Sequence, residues 1–338
     1  SEEGRNVYFA IESNAIGQDS TVVFKISSLT TPTKQVAVAL ATAITTYDSE
    51  ANIIDSVSDV KTDAMAQGVL TGVKRVDSAV DTPAYTDEAT VSFTTRGSVP
   101  VGGYIRVVLP DVESVQAGWV VSSGADVVFS SPSSNVPLLS GSVELSDGDR
   151  NMRFMISEHA IDQDTVVSFK VHNLTTPTKQ VGVAYATAIT TYDSSGNIID
   201  SASDVSTDAI GEGVLTGVKR VDSAVDTPAY TDEATVSFTT RGSVPVGGYI
   251  RVVLPEVTSV QAGWVIAGDA TYIFDEPSVG RPVTSSSPSP VVSEEGRNVY
   301  FAIESNAIGQ DSTVVFKISS LTTPTKQVAV ALATAITT

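Results

Sequence analysis

The sequence repeats itself, and no other feature narrows its fold so far. Residues 1–46 recur letter for letter as residues 293–338, and Gly68–Pro110 recurs without substitution as Gly213–Pro255, an offset of 145 residues. The shorter run Leu29-Thr30-Thr31-Pro32-Thr33-Lys34 returns at Leu174–Lys179, also 145 residues on, and a third time from Leu321, a further 147 residues along. A unit of this size buries enough surface to close its own core without a metal or disulfide. The two steps make a 292-residue super-period, and the remaining 46 residues are an overlap, as in a window on a longer periodic chain. Turn signals set the phase, because Ala66-Gln67-Gly68 and Gly211-Glu212-Gly213 each lead into Val-Leu-Thr-Gly-Val. On that phase residues 1–66 are the C-terminal part of a β-sandwich repeat, 67–212 a complete repeat, and 213–338 a repeat lacking its last hairpin.

Within each copy apolar and polar residues alternate at period two, the mark of half-buried strands. Ala89-Thr90-Val91-Ser92-Phe93-Thr94, Thr21-Val22-Val23-Phe24-Lys25-Ile26 and Val7–Ile11 are such stretches. Comparison of copies picks the inward face. Val7, Phe9 and Ile11 become Met152, Phe154 and Ile156, and Val22, Phe24 and Ile26 become Val167, Phe169 and Val171, while Tyr8 becomes Arg153 and Val23 becomes Ser168. The run from Lys34 to Tyr47 predicts a long spine strand, roughly 40 Å at about 3.3 Å per residue. Tyr192–Asp200 predicts a tight hairpin, with Gly196-Asn197 supplying the positive φ. Pro32, Pro100 and Pro110 fall at joints, since a central strand does not tolerate proline. With no amphipathic helix, the prediction is all-β: tandem immunoglobulin-like, Greek-key sandwiches of about 145 residues per repeat, with a barrel as the alternative.

The block from Ala89 to Thr95, the turn Ser98–Gly103 and the run Tyr104–Pro110, together with the late hairpin Asp193–Asp200, resemble the immunoglobulin-like tandem repeats of large surface-fibre and adhesin proteins. The resemblance covers the whole chain in repeating form, and its motifs are structural. It implies an extracellular fibre, stalk or adhesin, and no catalytic activity, because one architecture hosts many roles.

Charge and composition exclude several classes. The 39 acidic residues outnumber the 20 basic ones, for a net charge of −19, so phosphate backbones and anionic membranes are repelled and cations such as Ca²⁺ attracted. Cysteine is absent, which removes thiol catalysis, zinc fingers and disulfide frameworks. No apolar run reaches the ~20 residues of a membrane helix.

Candidate chemistry is sparse. The two histidines, His159 and His172, are replaced by Asn14 and Ser27, and by Asn306 and Ser319, in the sister copies, which points to surface positions and not to catalysis. Val101-Gly102-Gly103 lies between strands, so it is a turn and no phosphate loop. The acidic residues Asp193, Asp200, Asp204 and Asp208, with their copies Asp48, Asp55, Asp59 and Asp63, cluster at a repeat end and are candidate calcium ligands; no cofactor is otherwise required. A second acidic group, Asp147, Asp149, Asp162 and Asp164, splits between two loops. Asn173-Leu174-Thr175 is an N-glycosylation sequon, and Ser285–Pro290 a candidate O-glycosylated loop. Lys74 and Lys219 lie on first strands but have no forced Asn partner for an isopeptide bond.

The expected function is that of a non-catalytic structural subunit of an extracellular filament, self-associating through further copies of the same repeat. The alternative is a carbohydrate-binding or adhesive module using Tyr85, Tyr104 and Trp119 as a platform for glycans. Burial of those rings discriminates the two. Nucleic acid and a membrane span are expected to play no part.

Overall fold

A computed structural model of the chain describes residues 6–32, 35–36, 41–110, 118–135, 137, 139–181, 186–255, 263–283, 288–293, 296–325 and 335–338. The chain divides into two compact units, Ser1–Pro32 with Val38–Met65, and Thr33–Ala37 with Ala66–Thr338.

The smaller unit holds one hairpin, β1 (Ala41–Tyr47) and β2 (Ile53–Lys61), paired antiparallel. Val7–Ile11 and Thr21–Ile26, expected as strands, have no strand assignment and are exposed, although Phe9 and Phe24 keep ring contact at 4.7 Å. The reason is non-local: a strand needs a neighbour to satisfy its backbone and cover its apolar face, and among the described residues no strand pairs with these segments. Of the expected spine strand, Lys34 to Tyr47, β1 covers Ala41–Tyr47, and Lys34 and residues 37–40 lie outside the described residues.

The larger unit contains two β-sandwiches and, among the described residues, no helix. The first comprises β3 (Gly68–Val69), β4 (Thr71–Ser78), β5 (Thr86–Thr94), β6 (Tyr104–Val108), β7 (Val120–Val121), β8 (Val127–Ser131), β9 (Leu139–Ser146), β10 (Asn151–Ile156), β11 (Val166–Thr175), β12 (Ala186–Tyr192) and β13 (Ile198–Thr207). The second comprises β14 (Thr216–Ser223), β15 (Thr231–Thr239), β16 (Tyr249–Val253), β17 (Val265–Ile266), β18 (Tyr272–Glu276), β19 (Val291–Ser293), β20 (Asn298–Ala302), β21 (Thr313–Thr322) and β22 (Ala335–Thr337).

The second sandwich has two sheets, β14-β15-β21-β17 with β18 on β21, and β19-β20-β16-β22. In the first, β13 joins the corresponding sheets by pairing antiparallel with β12 and parallel with β3 and β4, giving the order β7-β11-β5-β4-β13-β12-β6-β10-β9. The late hairpin β12–β13 forms as expected, with Gly196 at φ 82°.

The alternation places each core. Along β5, Ala89, Val91 and Phe93 are buried while Thr90, Ser92 and Thr94 are half-buried on the other face. Met152, Phe154, Ile156, Val167, Phe169 and Val171 join them in the first core, and Val299, Phe301, Ile303, Val314, Phe316 and Ile318 occupy the same places in the second. Phe93, Phe129, Phe154 and Phe169 meet edge to face or tilted at 5.0–6.4 Å, geometries that bring the positive edge of one ring to the negative face of another. The second core substitutes Tyr272 for Val127; its hydroxyl donates to Ala302 O at 3.1 Å, and burial pushes it up to about 12.

Candidate functional site

A built polar site lies at the joint between the two sandwiches of the larger unit. It begins with the β4–β5 connection, Thr82-Pro83-Ala84-Tyr85. Ala84 has φ 51°, a left-handed conformation that turns its carbonyl outward, and it is held by its N–H to Pro177 O at 2.9 Å. The freed Ala84 carbonyl accepts the Ser243 N–H at 3.1 Å, and Asp81 O accepts the Gly211 N–H at 3.0 Å. Gln310 then reads Thr86 twice: the Thr86 N–H donates to Gln310 Oε1 at 2.6 Å, and Gln310 Nε2 donates to Thr86 O at 2.9 Å. This is the pairing an adjacent strand would make, supplied by an amide side chain.

Tyr85 completes the joint. Its ring is 8% exposed, its hydroxyl donates to Asp311 Oδ2 at 2.8 Å, and the Arg241 guanidinium lies 4.6 Å above the ring. Arg241 also pairs with Asp311 Oδ1 at 2.9 Å, so one carboxylate takes a phenol and a guanidinium. The Tyr85 hydrogen bond holds the Asp311 carboxyl below its ordinary range, and the same bond raises the phenol. The site holds two surfaces together.

The carboxylates expected as calcium ligands are not brought together. Asp193 caps its hairpin turn, accepting from Ser195 N, Asn197 N and Asn197 Nδ2 at 2.8–2.9 Å. Asp200 is 1% exposed and accepts the Arg96 and Gly97 N–H groups, and its burial raises the carboxyl. Asp204 takes Lys74 at 2.6 Å, which lowers its carboxyl, and Asp208 takes Arg75 and the Ser78 N–H. In the smaller unit Asp48 repeats the turn cap with Glu50 and Asn52, the Asn52 side-chain bond lowering it, and Asp55 bonds Thr46, while Asp59 and Asp63 are exposed. Among the described residues no three acidic or histidine side chains form a metal-sized group.

The rings expected as a glycan platform are spoken for. Trp119 is fully buried, with its Nε1 lacking a partner among the described residues, and Trp264 packs half-buried against the second core. Tyr104 stacks on Tyr192 at 4.2 Å under the Arg153 guanidinium. His159 is exposed beside a shallow polar hollow lined by Pro132, Asn135 and Asp162, and His172 is half-buried. Asn173 sits exposed at φ 59° on a bulge of β11. Ser285, Ser286 and Ser287 lie outside the described residues. Sequence reasoning missed Arg241, Gln310 and Asp311. The available signal was that Thr-Pro-Ala-Tyr-Thr, Arg-Gly-Ser and Gln-Asp each recur on both sides of the joint.

No protein-family model matches the chain, and no curated protein matches it. Among solved structures it is similar to the C-terminal domain of the AgI/II polypeptide BspA of Streptococcus agalactiae, at 13% identity and TM-score 0.23, covering 75% of this chain and 91% of that one. The C-terminal domain of the antigen I/II-family protein AspA of Streptococcus pyogenes gives 12% identity and TM-score 0.26 over 86% and 92%. The pilus protein RrgB of Streptococcus pneumoniae gives 13% and 0.23 over 84% and 41%. At such scores these likenesses carry no inference about this chain.

Proposed function

We propose that this chain is a non-catalytic structural segment of an extracellular fibre or surface filament in which sandwich repeats follow one another end to end. The composition of the joint carries the reading. Thr82–Thr86, which forms one half of it, returns as Thr227–Thr231, and Arg241-Gly242-Ser243 and Gln310-Asp311, which form the other, have copies at Arg96-Gly97-Ser98 and Gln163-Asp164. Repetition of the sandwich supports a series of like units along a chain, whose small contacts add, with the Arg96-Gly97 copy held by Asp200 of its own repeat. An exposed sequon at Asn173 supports a secreted setting, and the burial of Trp119 and Tyr85 weighs against the glycan-platform alternative.

Cryo-electron microscopy of the native material tests this directly. An axial repeat set by one sandwich, or by the pair of them, is expected. Dispersed particles that never polymerise would overturn the fibre.

A further inference from the structure

The two sandwiches guard the same sheet edge differently. β8 and its counterpart β18 are edge strands; among the described residues each pairs with a single strand, β11 and β21 respectively. Each also exposes an apolar side chain there, Val128 at 50% and Ile273 at 47%. An edge of this kind is a template for pairing with another chain unless charge or cover blocks it. β18 carries exposed Asp275 and Glu276; in β8 the same places hold Ser130 and Ser131, and none of Val127–Ser131 is charged.

The sandwich without those charges is the one with the sequon. Asn173-Leu174-Thr175 reads Ser28-Leu29-Thr30 and Ser320-Leu321-Thr322 in the sister copies, and no other asparagine of the chain is followed two residues on by Ser or Thr. All three positions take a left-handed φ, 59° at Asn173, 61° at Ser28 and 59° at Ser320, so serine serves this conformation and the backbone does not require asparagine. Asn173 is exposed just past the stretch of β11 that pairs with β8, and its carbonyl accepts the Ser122 N–H at 2.9 Å. The adjoining Ser122-Ser123-Gly124 turn is exposed, and a Cβ on Gly124 would meet nothing within 4 Å, so open space lies beside it. β8 extends five residues from this point, roughly 17 Å at about 3.3 Å per residue, a length that a branched oligosaccharide of several rings spans.

We propose that Asn173 carries an N-linked oligosaccharide, which covers the uncharged edge of β8 as Asp275 and Glu276 protect that of β18. The donor is a lipid-diphosphate-linked oligosaccharide. The Asn173 amide nitrogen bonds to the anomeric carbon of its first sugar, the bond from that carbon to the phosphate oxygen breaks, the lipid diphosphate leaves, and the amide gives up one proton to a base of the transferase. The fold sets the order of events. In the folded sheet the Thr175 hydroxyl that the sequon offers to a transferase lies 2.7 Å from Thr86 Oγ1, and Leu174 is buried, so transfer precedes the pairing of β5 with β11. This modification rests on the extracellular setting of the filament reading.

Mass spectrometry of native material, cut after lysine and arginine, tests it. The peptide of residues 171–179 is expected to carry an amide-linked oligosaccharide, released by peptide-N-glycosidase with conversion of Asn173 to aspartate, while the sister peptide of residues 318–326 is bare. Recovery of 171–179 solely in unmodified form overturns the proposal. Trimming the folded protein with an endoglycosidase that leaves only the innermost sugar is expected at least to double the mean mass in light scattering, as bared β8 edges pair. Ser130→Asp/Ser131→Glu, which gives β8 the charges of β18, is expected to prevent that rise. A mean mass unchanged by trimming, or a rise that this variant does not prevent, overturns the covering role. A bare peptide from material with an axial repeat removes the glycan and leaves the fibre standing; a glycosylated peptide from material that never polymerises does the reverse.

Discussion

Trp119 and Trp264 occupy the same repeat position, yet the first is fully buried and the second half-buried, which makes them an internal comparison of what the indole contributes. Truncating a buried Trp to Ala removes its transfer free energy and leaves a cavity, about 3–5 kcal/mol. Trp119→Ala is therefore expected to destabilise the first sandwich by that amount in chemical denaturation, and Trp264→Ala to destabilise the second by clearly less. Equal losses would mean that exposure at Trp264 does not reduce its packing. The aspartates give a second expectation. Each of Asp193, Asp200, Asp204 and Asp208 has protein partners in separate places, so excess chelator is expected to leave the thermal midpoint unchanged; a fall of several degrees would show a cation site that those contacts do not reveal. At this scale the inward face was legible, because Met152, Phe154 and Ile156 keep apolar chemistry that their neighbours lose. The partners of the aspartates were not, because Lys74 and Asp204 are 130 residues apart and nothing local couples them.

Identical segments adopt different structures according to what lies beside them. Asn298–Ala302 and Thr313–Thr322 are strands beside β15 and β16, while the same sequence at 6–10 and 21–30 carries no strand. Period-two alternation therefore reports which face a strand would bury and says nothing of whether a partner is present. The joint was illegible for a related reason: Ala84 takes a left-handed φ that no residue-type rule assigns to alanine. Its energetics give a pH expectation. Asp311 is held below its ordinary 3.8, so its contribution is complete above that value and is lost as pH falls through the lowered one. Tyr85 is raised above 10.0, so its contribution is complete below that value and is lost as pH rises through the raised one. The joint is thus expected to be tightest between about pH 4 and 10, read as a compact two-sandwich envelope by small-angle scattering. Tyr85→Phe is expected to remove the alkaline flank of that profile and to weaken the acid one, which the Arg241–Asp311 pair still supports, while leaving each sandwich folded, because the ring stays and only the hydrogen bond goes.

Over the whole molecule two electrostatic effects oppose each other when copies meet. Each chain carries a net charge of −19, so successive copies repel. Exposed ion pairs between copies contribute only about 0.2–1 kcal/mol each. Salt weakens both, but the net-charge term acts over many residues at long range and is screened first. The Debye length falls from about 30 Å at 0.01 M to about 8 Å at 0.15 M, while pairs in contact at roughly 3 Å retain more of their attraction. Apolar packing between copies is indifferent to this screening. Association is therefore expected to strengthen with salt over that range, seen as a rising mean mass in light scattering. A nucleic-acid binder would show the reverse dependence towards its partner, through counterion release. A mean mass that falls with added salt would show that ion pairs between copies hold them together more than apolar packing does, and would place the work of assembly on charged surfaces.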